Sequence, residues 1–165
     1  MKVPIVCFVG KSNSGKTTFL EKLIPVLVSR GYRVAVVKHD VHSFELDQPG
    51  KDTYRLSHAG AQRVAISSAA HFAIIGQVEQ EMPLPELVDR YLGDVDLVLA
   101  EGYKRGDQLK IELCRAARST ELICTPQELI AVISDLRFEL ECPHFGLEDV
   151  EGVADLLETR FLRKA

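Results

Sequence analysis

Gly10, four residues, then Gly15-Lys16-Thr17 complete the pattern G-x-x-x-x-G-K-[ST], in the stretch "GKSNSGKTT" from Gly10 to Thr18. The pattern limits the fold because of what flanks it. Before it, "VPIVCFV" from Val3 to Val9 is too short and too continuously apolar for an amphipathic helix, and reads as a buried strand of a parallel sheet. After it, Phe19, Leu20, Leu23, Ile24, Leu27 and Val28 recur at helical spacing, with Gly31 as a stop. In such a strand, loop and helix, glycines let successive backbone N–H groups turn inward, and the helix adds its positive end. The expected ligand is a nucleoside polyphosphate held by Gly10, Lys11, Ser12, Asn13, Ser14, Gly15, Lys16, Thr17 and Thr18. Lys16 would bridge the outer phosphates, and the Thr17 hydroxyl would ligate Mg2+. Lys11 has two readings, a solvated loop charge, which is favoured, or a second lysine reaching into a partner's site.

"YRVAVVK" from Tyr32 to Lys38 supplies a second buried strand about one helix length later, which closes a β-α-β unit. Further strands are expected at 63–67, 71–75, 97–100, 110–114 and 129–133, and helices at 52–59, 84–92 and 149–162. The alternation predicts an α/β P-loop NTPase fold, a mostly parallel twisted sheet with helices on both faces. Between Asp107 and Pro126 a projecting hairpin and a further crossover fit equally well. At 165 residues the chain suits one nucleotide-binding domain.

A metal-assisted phosphate site needs an acid at the carboxyl end of a neighbouring buried strand. Asp96 and Glu101 bracket Leu97 to Ala100, roughly 16 Å apart along a strand, so only one can serve. Glu101 is at the carboxyl end and is expected to reach the metal, with Gly102 allowing close approach. Asp96 reads as a strand-start residue. Lys38, His39, Asp40 and His42 stand at the carboxyl end of the second strand, so Lys38 could neutralise phosphate charge and Asp40 could hold a water or the metal. His39 and His42 lack a third ligand of clear spacing and make a poor metal pair. Ser134 and Asp135 end a later strand; the Asp135 carboxylate suits the N1–H and exocyclic amine of guanine, or simply starts a turn.

Composition narrows the partners. A formal net charge of -4 argues against a generic nucleic-acid surface. No apolar run approaches the roughly 18 residues that span a bilayer, and the N-terminal run meets the glycine loop without a cleavage site, so a cytoplasmic protein is expected. Cys7, Cys114, Cys124 and Cys142 are scattered without a C-x-x-C pair and read as core thiols of a reducing compartment.

Taken together, "GKSNSGKTT", "VVKHDVHSFELDQPGKDTYRLSHAGA", "DLVLAEGYK", "KIELCR" and "AVISD", in this order and spacing, resemble the molybdopterin-guanine dinucleotide biosynthesis protein B (MobB) family over nearly the whole chain. Many families share the phosphate loop, whereas "PGKDTYRLSHAGA" and "LAEGYK" followed by "KIEL" are far more specific. The resemblance implies a GTP- and Mg2+-binding, often dimeric protein that assists the guanylyltransferase attaching GMP to molybdopterin. It implies phosphate and Mg2+ contacts from Gly10 to Thr18, Glu101 and Gly102 facing the metal and γ-phosphate, and Asp135 near the base. Gly50, Lys51, Asp52, Arg55 and Gly60 would shape a second anion- or pterin-facing surface. Lys11, and Asp40-Val41 where a second histidine-rich pair can stand, depart from the family pattern.

Fast hydrolysis needs a side chain that orients water and often an added arginine. Gln77 and Gln80 are tied to no phosphate-side strand end, and Arg55, Lys104 and Arg105 are unassigned cations. Slow intrinsic turnover, below about 1 s⁻¹, is the expectation. An ATP-using small-molecule kinase, a metal-insertion chaperone and an inert scaffold are the alternatives. The kinase predicts ATP use and a phosphorylated product; the chaperone lacks its histidine-rich or Cys-x-x-Cys metal store.

Overall fold

The computed structural model describes residues 2–40 and 47–162. They fall into two compact units, one made of residues 1–39 and 84–165 and the other of residues 40–83.

The first unit is built on six parallel strands. β1 (Ile5–Val9), β2 (Val34–Lys38), β5 (Leu97–Glu101), β6 (Leu109–Cys114), β7 (Leu129–Ser134) and β8 (His144–Phe145) lie in the order β2-β5-β1-β6-β7-β8. The central strands β1, β5 and β7 are buried almost throughout, which explains their unbroken apolar runs. Strand alternation divides their side chains between two cores. Val6, Phe8, Leu97, Leu99, Ile111 and Ile133 face α1 (Lys16–Ser29) and α4 (Val150–Leu157), through Leu20, Leu23, Leu27, Val153 and Leu157. Cys7, Val9, Val98 and Ala100 face α3 (Leu84–Tyr91), through Leu84 and Val88. Each fully buried Leu, Ile or Phe contributes about 1.5–3 kcal/mol of hydrophobic stabilisation. Helices therefore cover both faces, as expected of the P-loop NTPase fold.

Arg30 ties the end of α1 to α4, donating to Asp155 (2.7 Å), Glu151 (2.6 Å) and Glu158 (3.0 Å). The expected helix from 149 is in two parts, α4 capped by the Asp149 carboxylate and then a π-helical turn at Glu158–Leu162. Asp96 stands at the start of β5, where its carboxylate accepts from the Arg33 backbone and guanidinium. Among the described residues no helix is long and apolar enough to cross a membrane. Cys7 and Cys114 are buried as expected, while Cys124 and Cys142 are only partly covered; none is paired.

The stretch 107–126 carries no hairpin. Its strand β6 runs parallel between β1 and β7, and the chain returns to β7 through a short 3₁₀ turn at Pro126–Glu128. Two charged residues replace the helix that such a crossover ordinarily needs. Lys110 and Glu112 project from the same face of β6, each 1% exposed. Lys110 Nζ donates to the Gly106 carbonyl (2.6 Å) and Glu128 (2.8 Å). Glu112 accepts from the backbone of Ile123 (2.7 Å) and Cys124 (2.9 Å). Irregular chain thus covers that part of the sheet.

The hairpin is in the second unit. α2 (Asp52–His58) leads to β3 (Arg63–Ser67) and β4 (Phe72–Gly76), an antiparallel two-stranded sheet closed by a loop in which the Ser68 hydroxyl accepts from the His71 amide. Phe72 and Ile74 pair with Ser67 and Ala65 and share one face; they are 76% and 50% exposed.

Candidate nucleotide-binding site

The loop after β1 is held by backbone geometry that few residues tolerate. Gly10 (φ 147°), Asn13 (φ 59°) and Gly15 (φ 99°) all have positive φ, which glycine adopts freely and asparagine tolerates. Gly10 also has no room for a side chain, since an added Cβ would stand 2.3 Å from the Leu113 carbonyl oxygen on β6. The loop closes on itself through Ser14 N–H to Lys11 O (3.2 Å), and α1 begins with Phe19 N–H to Gly15 O (2.9 Å).

The start of α1 has neither a side-chain cap nor an acid in its first turn, unlike that of α4. Its N–H donors and positive dipole end are left for a ligand. Ser14 is 1% exposed, yet its hydroxyl has no hydrogen-bond partner. A buried hydroxyl without a partner calls for an explanation, and this one lies on the side of the loop that faces β6. Ser12, Thr18 and Lys11 are exposed at the loop rim. Lys16 Nζ lies across the loop, donating to Lys11 O (3.0 Å) and Gly10 O (3.3 Å).

Glu101 arrives from β5, the strand beside β1, with Phe8 and Lys38 as its neighbours in register. Thr17 Oγ1 lies 3.0 Å from each of its carboxylate oxygens and donates to them, joining residues 84 apart in sequence. One hydroxyl and one carboxylate at the foot of a phosphate loop form the oxygen donor set of a hydrated Mg2+, with the acid acting through water. The residues present therefore fit a nucleotide with its magnesium ion.

Gly102 (φ 100°) makes the turn beyond Glu101. A Cβ there would meet His39 Cβ at 3.1 Å and His39 O at 3.3 Å, so glycine lets β5 leave the sheet beside β2. Gly102 N–H donates to Phe8 O and His39 N–H to Glu101 O. Tyr103 packs on His39 with the rings tilted and their centroids 4.6 Å apart. Burial pushes the Lys16 ammonium below its ordinary range, against the pull of Glu101, and Lys104 and Lys38 push it further. Three lysines and one glutamate thus converge here, a concentration of positive charge matched to a polyphosphate.

Asp135 is at the carboxyl end of β7, its Oδ1 accepting from Ala116 N–H (2.8 Å). Asp40, Gln77, Gln80, Gly50, Lys51, Asp52, Arg55 and Gly60 belong to the second unit. His42 lies outside the described residues, and among those described no cluster of three His, Cys, Asp or Glu side chains could hold a metal ion. The first unit has two glutamines, Gln108 and Gln127, and both precede the amino ends of strands. Sequence reasoning missed Arg115, whose guanidinium lies against Gly15.

Comparison with known proteins agrees with this architecture. The chain is 38% identical over 160 residues to the molybdopterin-guanine dinucleotide biosynthesis adapter protein of Escherichia coli K12, covering 94% of this chain and 91% of that protein. It is 33% identical to the adapter protein of Haemophilus influenzae Rd, over 95% of this chain and 89% of the other. The crystal structure of Bacillus subtilis MobB superposes with a TM-score of 0.74 at 27% identity, covering 96% of this chain and 98% of that one. The model of the family described as molybdopterin guanine dinucleotide synthesis protein B matches residues 5–135, and the chain belongs to that family.

Proposed function

We propose that this protein is a GTP-binding adapter of molybdenum cofactor biosynthesis, which assists a guanylyltransferase in forming molybdopterin guanine dinucleotide. The Thr17–Glu101 pair beneath an uncapped helix start carries the nucleotide reading. The names of the relatives carry the pathway. Residues Gly10 to Thr18 hold the phosphates, Thr17 and Glu101 hold Mg2+, and Lys16 and Lys38 neutralise the γ-phosphate. Gly102 completes the metal side, and Asp135 offers its carboxylate to guanine. Mg2+ would supply charge neutralisation on the phosphates.

Hydrolysis is slow in this reading, because no glutamine of the first unit stands at a carboxyl strand end to orient water. The site grips the nucleotide, and its binding licenses contact with the guanylyltransferase and with molybdopterin or its molybdenum form. The protein works as a homodimer in the cytoplasm, two copies covering the exposed Phe72 and Ile74 face of each hairpin. A two-stranded hairpin is marginal alone and gains most from such cover.

Calorimetric titration of GTP and ATP with Mg2+, followed by addition of the protein to a guanylyltransferase assay, tests the proposal. GTP should bind more tightly than ATP, and Lys16→Ala should lose GTP binding and stimulation together. Preference for ATP, or stimulation that survives in Lys16→Ala, would overturn it.

A further inference from the structure

Arg115 is the first residue beyond β6, and its guanidinium lies against the phosphate loop. A Cβ built on Gly15 would stand 3.4 Å from its Nη2 and 3.8 Å from its Cζ, so the planar group covers the glycine that opens α1. Among the described residues, two buried side-chain atoms lack a hydrogen-bond partner, and they are Arg115 Nε and Ser14 Oγ. Both residues line one cleft beside the loop, together with the cations Lys11 and Arg118 and the acids Glu112 and Glu121. An unpaired buried guanidinium nitrogen is destabilising, and packing alone does not call for its charge.

The surroundings hold Arg115 in place. β6 is flush with the loop, as the tight approach of Gly10 to Leu113 shows. The turn after β6 is closed by Arg118 N–H (2.8 Å) and Ser119 N–H (3.0 Å), both donating to Arg115 O. Asp135 Oδ1 accepts from Ala116 N–H, so the end of β7 braces the same turn. Of the acids near Arg115, Glu148 is hydrogen-bonded to Lys22, and Glu112 accepts from the backbone of Ile123 and Cys124. Strand order then sets the direction of approach. β5, with Glu101, flanks β1 on one side and β6 flanks it on the other. Lys16, Lys38 and Lys104 gather around Glu101, whereas Arg115 comes from the opposite side.

We propose that Arg115 is a phosphate-binding arginine of the nucleotide site, acting in cis from β6 and completing, opposite the lysine cluster, a two-sided cationic grip on the polyphosphate. The proposal rests on the nucleotide-binding reading above. An arginine guanidinium can present two parallel N–H groups to phosphate oxygens. Contact would be to phosphate and not to the base, because the group is docked on the glycine that opens the helix.

The test titrates two probes, GTP and inorganic tripolyphosphate, each with Mg2+, into the wild-type protein, Arg115→Ala and Arg115→Lys, with thermal unfolding of each ligand-free variant. Arg115→Ala should weaken both probes by the same factor, about 10- to 100-fold, the size of a lost charge-assisted hydrogen bond. Arg115→Lys, which keeps the charge and loses the fork, should fall between. The ligand-free midpoint should stay the same or rise, since an unpaired buried nitrogen is removed. Loss confined to GTP would place the contact on the nucleoside and overturn the proposal, as would unchanged binding of both probes. If Arg115→Ala does not fold, Arg115→Gln takes its place, and failure of both to fold would make the residue structural. If the wild-type protein binds neither probe, the nucleotide reading itself falls; if it binds both and Arg115→Ala matches it, only this inference does.

Discussion

The Thr17 hydroxyl and the Glu101 carboxylate meet at 3.0 Å across 84 residues of sequence, from the first turn of α1 to the last position of β5. The contact exists because β5 lies directly beside β1, in a register that sets Glu101 level with Phe8 just before the loop. Removing the carboxylate charge should therefore act through magnesium. Glu101→Gln is expected to weaken Mg2+-dependent GTP binding about 10- to 100-fold, the usual effect of losing an outer-shell partner, and to leave Mg2+-free binding little changed. Titration of GTP with Mg2+ and with EDTA checks this. Equal losses in both would mean that Glu101 acts on the protein and not on the metal.

Gly10 should tolerate no side chain. A Cβ at that position would lie 2.3 Å from the Leu113 carbonyl oxygen, on backbone with φ at 147°. Gly10→Ala is expected to destabilise the fold by about 1–3 kcal/mol and to displace the loop enough to abolish nucleotide binding. Urea denaturation and GTP titration measure the two effects. Gly106→Ala is the control, because its φ is also positive (140°) but nothing lies within 4 Å; it should show strain without loss of binding.

Legibility in the sequence followed the strength of local constraint. The loop, its flanking strand and helix and the position of Glu101 at a strand end could be read because unbroken apolar runs, helical spacing and glycine have direct backbone consequences. The stretch from 107 to 126 could not. In "KIELCR" the alternation of Lys110 and Glu112 with Ile111 and Leu113 resembles a half-exposed strand, and only tertiary structure shows the two charges buried beneath irregular chain. β8, with two residues, leaves no periodic signal. The place of Arg115 against Gly15 was invisible for a similar reason, since it depends on which strand lies next to β1, a property of topology and not of spacing.

Lys16 makes nucleotide affinity sensitive to alkaline pH. Burial, with Lys104 and Lys38 nearby, holds its ammonium below the ordinary lysine range, and a bound polyphosphate would restore it. Binding should take up protons where free Lys16 is partly neutral, so affinity falls as pH rises through its lowered value. Calorimetry in alkaline buffers of different ionisation enthalpy reads the uptake directly. The double variant Lys38→Ala, Lys104→Ala should reduce it; uptake unchanged in that variant would assign the proton to another group.

Glu128 gives stability an acid dependence. Its hydrogen bond from Lys110, aided by Thr125, holds the carboxyl down to about 2. A group with a lowered folded-state value contributes stability that is fully present above its unfolded value and lost as pH falls towards the folded one. The loss should run from near the ordinary carboxylate range down to about pH 2. Glu128→Gln should lower stability at neutral pH, because buried Lys110 loses its charged partner, and should flatten the profile over that acid window. Thermal midpoints from pH 6 to 2 check this, and parallel curves for the two proteins would remove Glu128 as the cause.

The hairpin supplies the test of assembly. Phe72 and Ile74 are adjacent on one face of β4, with only Ser67 and Ala65 opposite them on β3, and both are largely exposed. A two-stranded sheet is marginal by itself, and a second copy of the chain seated on this face would remove apolar area from water at about 25 cal/mol per Å². Replacing Phe72 and Ile74 by Ser should therefore shift a dimer towards monomer and leave the ligand-free monomer folded. Light scattering over a concentration series, with wild-type protein alongside, measures the shift. The same dissociation constant for both proteins would place the dimer contact elsewhere. GTP binding by the monomeric variant should persist, because the loop, Thr17 and Glu101 all belong to the other unit.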